Sequence, residues 1–219
     1  MRPYNPAYHP FKWRGWWDFG TGALGDIGCH SLDPIFRALK LKYPTSLQAV
    51  STLYNEETYP SGSMVKYEFP ARENMPPVNL TWYDGGLRPM RIPELEEGMN
   101  MGTNGTLYVG DKGKILDDKI YPLSLRESYT APAPSIPSSP GHEQEWILAC
   151  KGGAPAGSNF DWAGPLTETV LMGNVALRGE LKEKLSGQSL IWDPEKFSFT
   201  NMPEADKFLH YEYRNGWNL

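Results

Sequence analysis

An aspartate and a histidine four residues apart are the strongest chemical signal in the sequence. Asp26 and His30 lie in a glycine-rich segment, residues 20–30. On a helix this spacing puts both side chains on one face, roughly 6 Å apart. A carboxylate beside an imidazole favours the protonated ring and orients it, and histidine titrates near neutral pH. The pair is suited to proton transfer, although such pairs also occur as surface pairs or helix caps.

The glycines of this segment fit close packing better than phosphate binding. Glycine lets another backbone or a ligand approach, which applies to Gly20, Gly22 and Gly25. Gly20, Gly22 and Gly25 have the spacing G-x-G-x-x-G, but no predicted strand leads into the segment, so it does not lie in a βαβ unit, and no Lys-Ser/Thr follows. We therefore expect no P-loop or Rossmann fingerprint here.

A metal site would have to combine Asp26, His30 and His142. His142 lies far along the chain from Asp26 and His30, and the sequence offers the three residues no cysteine or HExxH partner. We therefore predict that the chain has no metal site.

Apolar periodicity places Asp26 and His30 on a helix. Apolar side chains recur at helical spacing over residues 26–41, whereas residues 1–25 show no regular pattern and predict an irregular N-terminal loop. Pro34 either kinks this helix or occupies the first position of a new helix capped by Asp33.

The remainder of the chain predicts a sheet followed by helices. Short alternating segments separated by glycine-rich turns predict strands over residues 46–125, with a long excursion at 86–104. Residues 141–219 predict helices and a closing strand near 190–192, and Asn201 is the expected cap of the last helix. We predict an α+β fold, with an open, largely antiparallel sheet and helices packed on one face, forming a single domain over 1–219.

Charge and hydropathy exclude two classes of partner. The net charge of −5 argues against a nucleic-acid-binding basic face. The chain contains no apolar run of about 18 residues, so we predict no membrane span. The N-terminus lacks an apolar signal-peptide core, which predicts a cytoplasmic protein unless a signal precedes a missing domain.

Several segments, in order, resemble the Gfo/Idh/MocA oxidoreductase family, which includes glucose-fructose oxidoreductase and inositol dehydrogenase. Residues 13–33 are similar to a G-G-x-x-x-D-x-G-x-H-like segment on the first helix of the family's C-terminal domain. Residues 142–147 and 167–176 extend the similarity, and residues 213–217 resemble the closing segment of bacterial members.

The resemblance implies a two-domain parent protein. Family members combine an N-terminal Rossmann domain that binds NAD(P) with a C-terminal domain that has an open, dihydrodipicolinate-reductase-like sheet. Residues 1–219 resemble the second domain alone, and the family's Glu-Lys-Pro segment is absent from the sequence. We therefore expect NAD(P) only in a full-length form or with a separate Rossmann-domain chain, and none bound to this chain alone. The family also implies a homo-oligomer formed through the open sheet face.

The resemblance also assigns roles to individual residues. His30 would be the acid/base at the substrate hydroxyl or carbonyl, and Asp26 would orient the substrate or polarise the histidine. Weaker candidates for substrate binding are Arg14, Trp13, Trp16, Trp17 and His142. The tryptophans either stack on a sugar ring or pack the N-terminal loop, and His142 either faces the pocket or has a cap or surface role.

Three functions follow as hypotheses. The first is the substrate-binding and dimerisation domain of an NAD(P)-dependent oxidoreductase acting on a sugar or polyol, inactive alone because hydride transfer needs the nicotinamide against the substrate. The second is a carbohydrate-binding remnant without redox chemistry. The third is NAD-assisted glycoside cleavage or elimination.

Overall fold

The computed structural model describes residues 3–9, 11–211, 213 and 216–217. By its contacts the chain divides into two compact units, Met1–Arg88 with Gly164–Leu219, and Pro89–Ala163. The prediction that residues 1–219 act together as one substrate-binding domain stays a prediction.

The described residues form five α-helices and eight strands, numbered in chain order. The helices are α1 Gly22–Leu39, α2 Leu123–Ser128, α3 His142–Cys150, α4 Phe160–Ala176 and α5 Gly179–Leu185. The strands are β1 Ser46–Ser51, β2 Ser63–Phe69, β3 Val78–Tyr83, β4 Leu107–Val109, β5 Lys114–Leu116, β6 Lys119–Tyr121, β7 Leu190–Asp193 and β8 Ser198–Phe199.

Helix α1 buries one stripe of its surface. Leu24, Gly28, Leu32 and Phe36 are buried and recur every four residues, as expected of an amphipathic helix. Pro34 lies inside this continuous helix, so it does not start a new one. The helix begins four residues earlier than predicted, which places Asp26 in its second turn.

The first unit is built on a five-stranded antiparallel sheet in the order β3-β2-β1-β7-β8. The register aligns Leu47 with Tyr67 and Tyr67 with Leu80, so these buried side chains share one face. Helix α1 covers this face where the ring of Phe36 meets that of Phe69, with centroids 5.7 Å apart. The other face is partly exposed. The predicted α+β fold with an open, mostly antiparallel sheet is confirmed.

The second unit has a sheet and a small core of its own. Strands β4, β5 and β6 pair antiparallel in chain order. Ile92, Leu95 and Tyr121 form the buried cluster. The single sheet predicted over residues 46–125 is therefore wrong. The segment expected to be an excursion, residues 86–104, supplies two of the three buried residues here.

The C-terminal part of the first unit differs from prediction in one local detail. The last helix is a 3-10 helix, Pro203–Phe208, preceded by Met202. Asn201 does not cap it, because its Oδ1 accepts a hydrogen bond from Ile191 N and its Nδ2 donates to Ser189 O, both at 2.8 Å. Within the predicted closing segment 213–217, Arg214 and Asn215 lie outside the described residues.

No helix in the described part of the chain is long and apolar enough to cross a membrane.

Candidate functional site

Helix α1 presents Asp26 and His30 on the side opposite its buried stripe. Both side chains are exposed and lie one helical turn apart, so their Cβ atoms are about 6 Å from each other. The structure therefore places the predicted pair on one accessible face. Their catalytic roles stay predictions.

Asp26 is paired with an arginine from the N-terminal loop. Arg14 Nη1 donates to Asp26 Oδ2, with the two side chains 29% and 42% exposed. The Arg14 guanidinium also lies 4.3 Å from the centre of the Phe11 ring. Among the described residues no hydrogen bond joins Asp26 to His30. The sequence predicted that Arg14 contacts the substrate, and spacing alone gave no sign of its ion pair with Asp26.

Close backbone packing holds Arg14 against the start of α1. A Cβ added at Gly20 would lie 2.5 Å from Arg14 Cα and 2.9 Å from Arg14 O, so a larger residue would push the two segments apart. The loop is tied further by Tyr59 N, which donates to Gly15 O at 2.9 Å, and by Trp17 N, which donates to Glu57 O at 3.0 Å.

Gly22 starts the helix in a backbone conformation that glycine favours. Its φ is +66°, and a Cβ there would lie 2.6 Å from Cδ1 of the Tyr59 ring. Gly20 therefore allows the close approach of the Arg14 backbone, and Gly22 that of the Tyr59 ring, as expected from the sequence. Both contacts hold the loop that carries Arg14 beside α1.

The Trp17 ring is engaged within the protein. The Tyr59 ring lies 3.5 Å from it between centroids, and the Arg178 guanidinium lies 3.8 Å from it. Two groups this close to one ring need separate faces, so a sugar could stack on Trp17 only by displacing one of them. Arg178 also lies 4.7 Å from the Phe208 ring. Burial lowers the pKa of Arg178 and raises that of the Tyr59 hydroxyl.

The other two tryptophans differ in accessibility. Trp16 packs edge-on against Tyr8 with centroids 4.8 Å apart, which favours the loop-packing alternative for this residue. Trp13 is 49% exposed, beside Arg14 on the short 3-10 helix Lys12–Gly15. Trp13 is therefore the better placed of the three for stacking on a ligand.

His142 lies in the second unit. It is the first residue of α3 and is exposed. Its proposed contact with the substrate stays a prediction.

Within the described residues there is neither a cluster of metal-binding side chains nor a Rossmann-type dinucleotide site. No group of three or more His, Cys, Asp or Glu side chains there could hold a metal ion. Every strand pair in that part of the chain is antiparallel, whereas a Rossmann site needs parallel strands joined by a helix that follows a glycine-rich turn. The described residues therefore do not form a Rossmann site for NAD(P).

One family model matches the N-terminal part of the chain. Residues 1–57 match the Gfo/Idh/MocA family model described as the oxidoreductase family, C-terminal alpha/beta domain. The match includes Arg14, Asp26 and His30, and it confirms the family resemblance over these residues. A comparison with curated proteins finds no match.

Proposed function

We propose that this chain is the substrate-binding part of an NAD(P)-dependent oxidoreductase that acts on a hydroxyl group of a sugar or polyol. The main support for this proposal is that the residues matched by the family model, 1–57, include both Asp26 and His30. The exposure of the two side chains on one face of α1 is compatible with contact to a substrate.

The proposed chemistry assigns proton transfer to His30. Its imidazole takes the proton from the reacting hydroxyl, or returns one to the carbonyl in the reverse direction. Asp26, one helical turn from His30, offers an acceptor to neighbouring hydroxyl groups, and its partner Arg14 offers donors. A partly exposed ion pair contributes only about 0–1 kcal/mol, so ligand hydroxyls can compete with it.

The dinucleotide belongs elsewhere in this proposal. Because the described residues form no Rossmann site, we assign NAD(P) binding to a Rossmann domain outside them, on the same or a separate chain. No step involving the cofactor is assigned to these residues. The partly exposed face of the five-stranded sheet, where Val50 is 49% and Ile191 40% exposed, is the proposed homo-oligomer surface.

Calorimetric titration of the chain tests the proposal. We expect no measurable heat with NAD(H) or NADP(H), and saturable binding of at least one member of a panel of D-glucose, sorbitol and myo-inositol. Asp26→Asn should weaken that binding about 10- to 100-fold, because hydrogen bonds to charged groups contribute about 1.5–3 kcal/mol.

Asp33→Asn is the matched control. Asp33 is an aspartate on the same helix, paired with Arg37 at 3.2 Å. Its substitution should leave the affinity unchanged. Equal affinities for the parent and Asp26→Asn would contradict the proposed role of Asp26. Binding of NAD(P) by this chain alone would contradict the assignment of the dinucleotide to a separate Rossmann domain. In a form that includes the Rossmann domain, His30→Asn should lower turnover 10²–10⁴-fold.

A further inference from the structure

A groove lies along the edge of β1 in the first unit. Strand β7 pairs with β1 only through Ser46 and Leu47, so the rest of that edge has no strand beside it within the described residues. The groove there has a volume of about 250 Å³. Its walls are residues 47–51 of β1 on one side, and Ala176, Lys182, Leu185, Gly187 and Gln188 on the other. At about 30 Å³ per water molecule, it has room for about eight waters or one small ligand.

Lys182 is the cationic side chain of this groove, and its described contacts are neutral. The part-buried ammonium group donates to Ser51 Oγ and lies 5.1 Å from the centre of the Tyr54 ring. Among the described residues no carboxylate lies within ion-pair distance of Lys182. Lys184, two residues further along α5, pairs with Glu204 at 3.0 Å.

The missing counter-charge has an energetic consequence. Burial lowers the pKa of Lys182, because removing an ammonium group from water penalises its charged form. An anion placed beside the ammonium would offset this penalty, since opposite charges attract more strongly where solvent is partly excluded. The concave shape of the groove allows a small ligand to reach the amine.

We propose that this groove binds a small oxyanion, a carboxylate or a phosphate, with Lys182 as its counter-charge. The two classes of ligand share negatively charged terminal oxygens, which accept hydrogen bonds from the ammonium group. Gln188 lines the same groove and offers a polar side chain to the ligand. The site uses β1 and α5, so it involves none of the residues assigned to the sugar or polyol.

Competitive labelling of the full chain tests this proposal. Trace acetic anhydride acylates lysines in proportion to the reactivity of their free amines, and mass spectrometry compares Lys182 with Lys184 in one sample. We expect inorganic phosphate or acetate to protect Lys182 saturably while Lys184 stays unchanged. Equal protection of both lysines, or of neither, would overturn the proposal.

Substitutions supply a second, independent readout. In calorimetric titrations with phosphate and with acetate, Lys182→Gln should weaken binding at least tenfold, whereas Lys182→Arg and Lys184→Gln should bind within about twofold of the parent. The two titrations also show which oxyanion is preferred. Binding that is lost equally in Lys184→Gln would contradict a site at Lys182.

Discussion

Removing the hydroxyl of Tyr67 tests how α1 and α4 are packed on the sheet. Tyr67 is fully buried on β2, and its Oη has no hydrogen-bond partner among the described residues. A Cβ added at Gly173 of α4 would lie 2.1 Å from this oxygen and 2.5 Å from Leu24 Cδ2 of α1. The hydroxyl therefore fills space where the two helices meet the sheet, without forming a bond.

Tyr67→Phe removes this hydroxyl and keeps the ring. A buried polar group without a partner costs roughly 1–3 kcal/mol. The gap left by one oxygen, on the order of 10–15 Å³, costs only about 0.3 kcal/mol at ~24 cal/mol per Å³. We therefore expect the free energy of unfolding to rise by about 1 kcal/mol.

Urea unfolding followed by far-UV circular dichroism measures this change. With a slope of about 2 kcal/mol per M, the midpoint should rise by roughly 0.5 M. A fall of about 1 kcal/mol or more would refute the reasoning, because it would mean that the hydroxyl has a stabilising partner such as a buried water.

Gly173→Ala probes the same contact from the helix side. Alanine normally stabilises a helix by up to about 1 kcal/mol relative to glycine. Here the new Cβ would displace two fully buried side chains, which costs about 1–3 kcal/mol, so we expect a net loss of about 1–2 kcal/mol. In the double variant, Tyr67→Phe should recover part of this loss, with a coupling of at least about 0.5 kcal/mol. Strict additivity would contradict the contact.

Two further predictions concern the pH dependence of stability and the start of α1. Burial raises the pKa of Glu168, so its contribution to stability is present at low pH and is lost as pH rises through the folded-state pKa. Glu168→Gln keeps an acceptor for Trp192 Nε1 and should stabilise the chain more at about pH 7 than at about pH 4 in urea unfolding; an equal effect at both pH values would contradict this. Gly22→Ala should cost about 2 kcal/mol or more, because it combines left-handed backbone strain with contact to Tyr59. Gly86→Ala, where φ is +88° and the Cβ would meet nothing within 4 Å, should cost only about 1–2 kcal/mol; an equal loss in both variants would exclude the Tyr59 contact.

Local pattern was sufficient to predict α1 but not its first turn. Leu32 and Phe36 belong to the apolar pattern that predicts a helix over residues 26–41, whereas the buried residues Leu24 and Gly28 contribute nothing to that pattern. The helix begins at Gly22, where φ is +66° and the backbone lies close to the Tyr59 ring. Such contacts leave no periodic signal.

The alternation of residue types predicted strands without predicting which strands pair. Strands β3 and β4 both have the composition of half-buried strands, and nothing in their residue pattern assigns them to different sheets. The second sheet is accompanied by a core of its own, in which Ile92 and Leu95 join Tyr121. Two apolar residues within a loop of prolines and charges are too weak a pattern to predict a second core.

The spacing of Asp26 and His30 was sufficient to predict the candidate site. It could not predict that Asp26 pairs with Arg14, because Arg14 lies on a different segment of the chain. An i, i+4 pair on an exposed helix face contributes only about 0.2–0.5 kcal/mol. An arginine offers donors in a planar fork that matches a carboxylate, and it stays charged at any working pH. Arg14 therefore outcompetes His30 for Asp26 once the N-terminal loop is held against Gly20.

This competition affects how the proposed site would work. Asp26 forms its ion pair with Arg14 and no hydrogen bond with the His30 imidazole. Among the described residues no other side chain forms a hydrogen bond with His30. Both ring nitrogens of His30 can then exchange protons with a bound hydroxyl or with water. Arg14→Gln would free Asp26 to turn toward His30. In the proposed function, that change should weaken polyol binding through the lost donor and also shift the pH profile of binding, whereas a purely structural Arg14 would leave the profile in place.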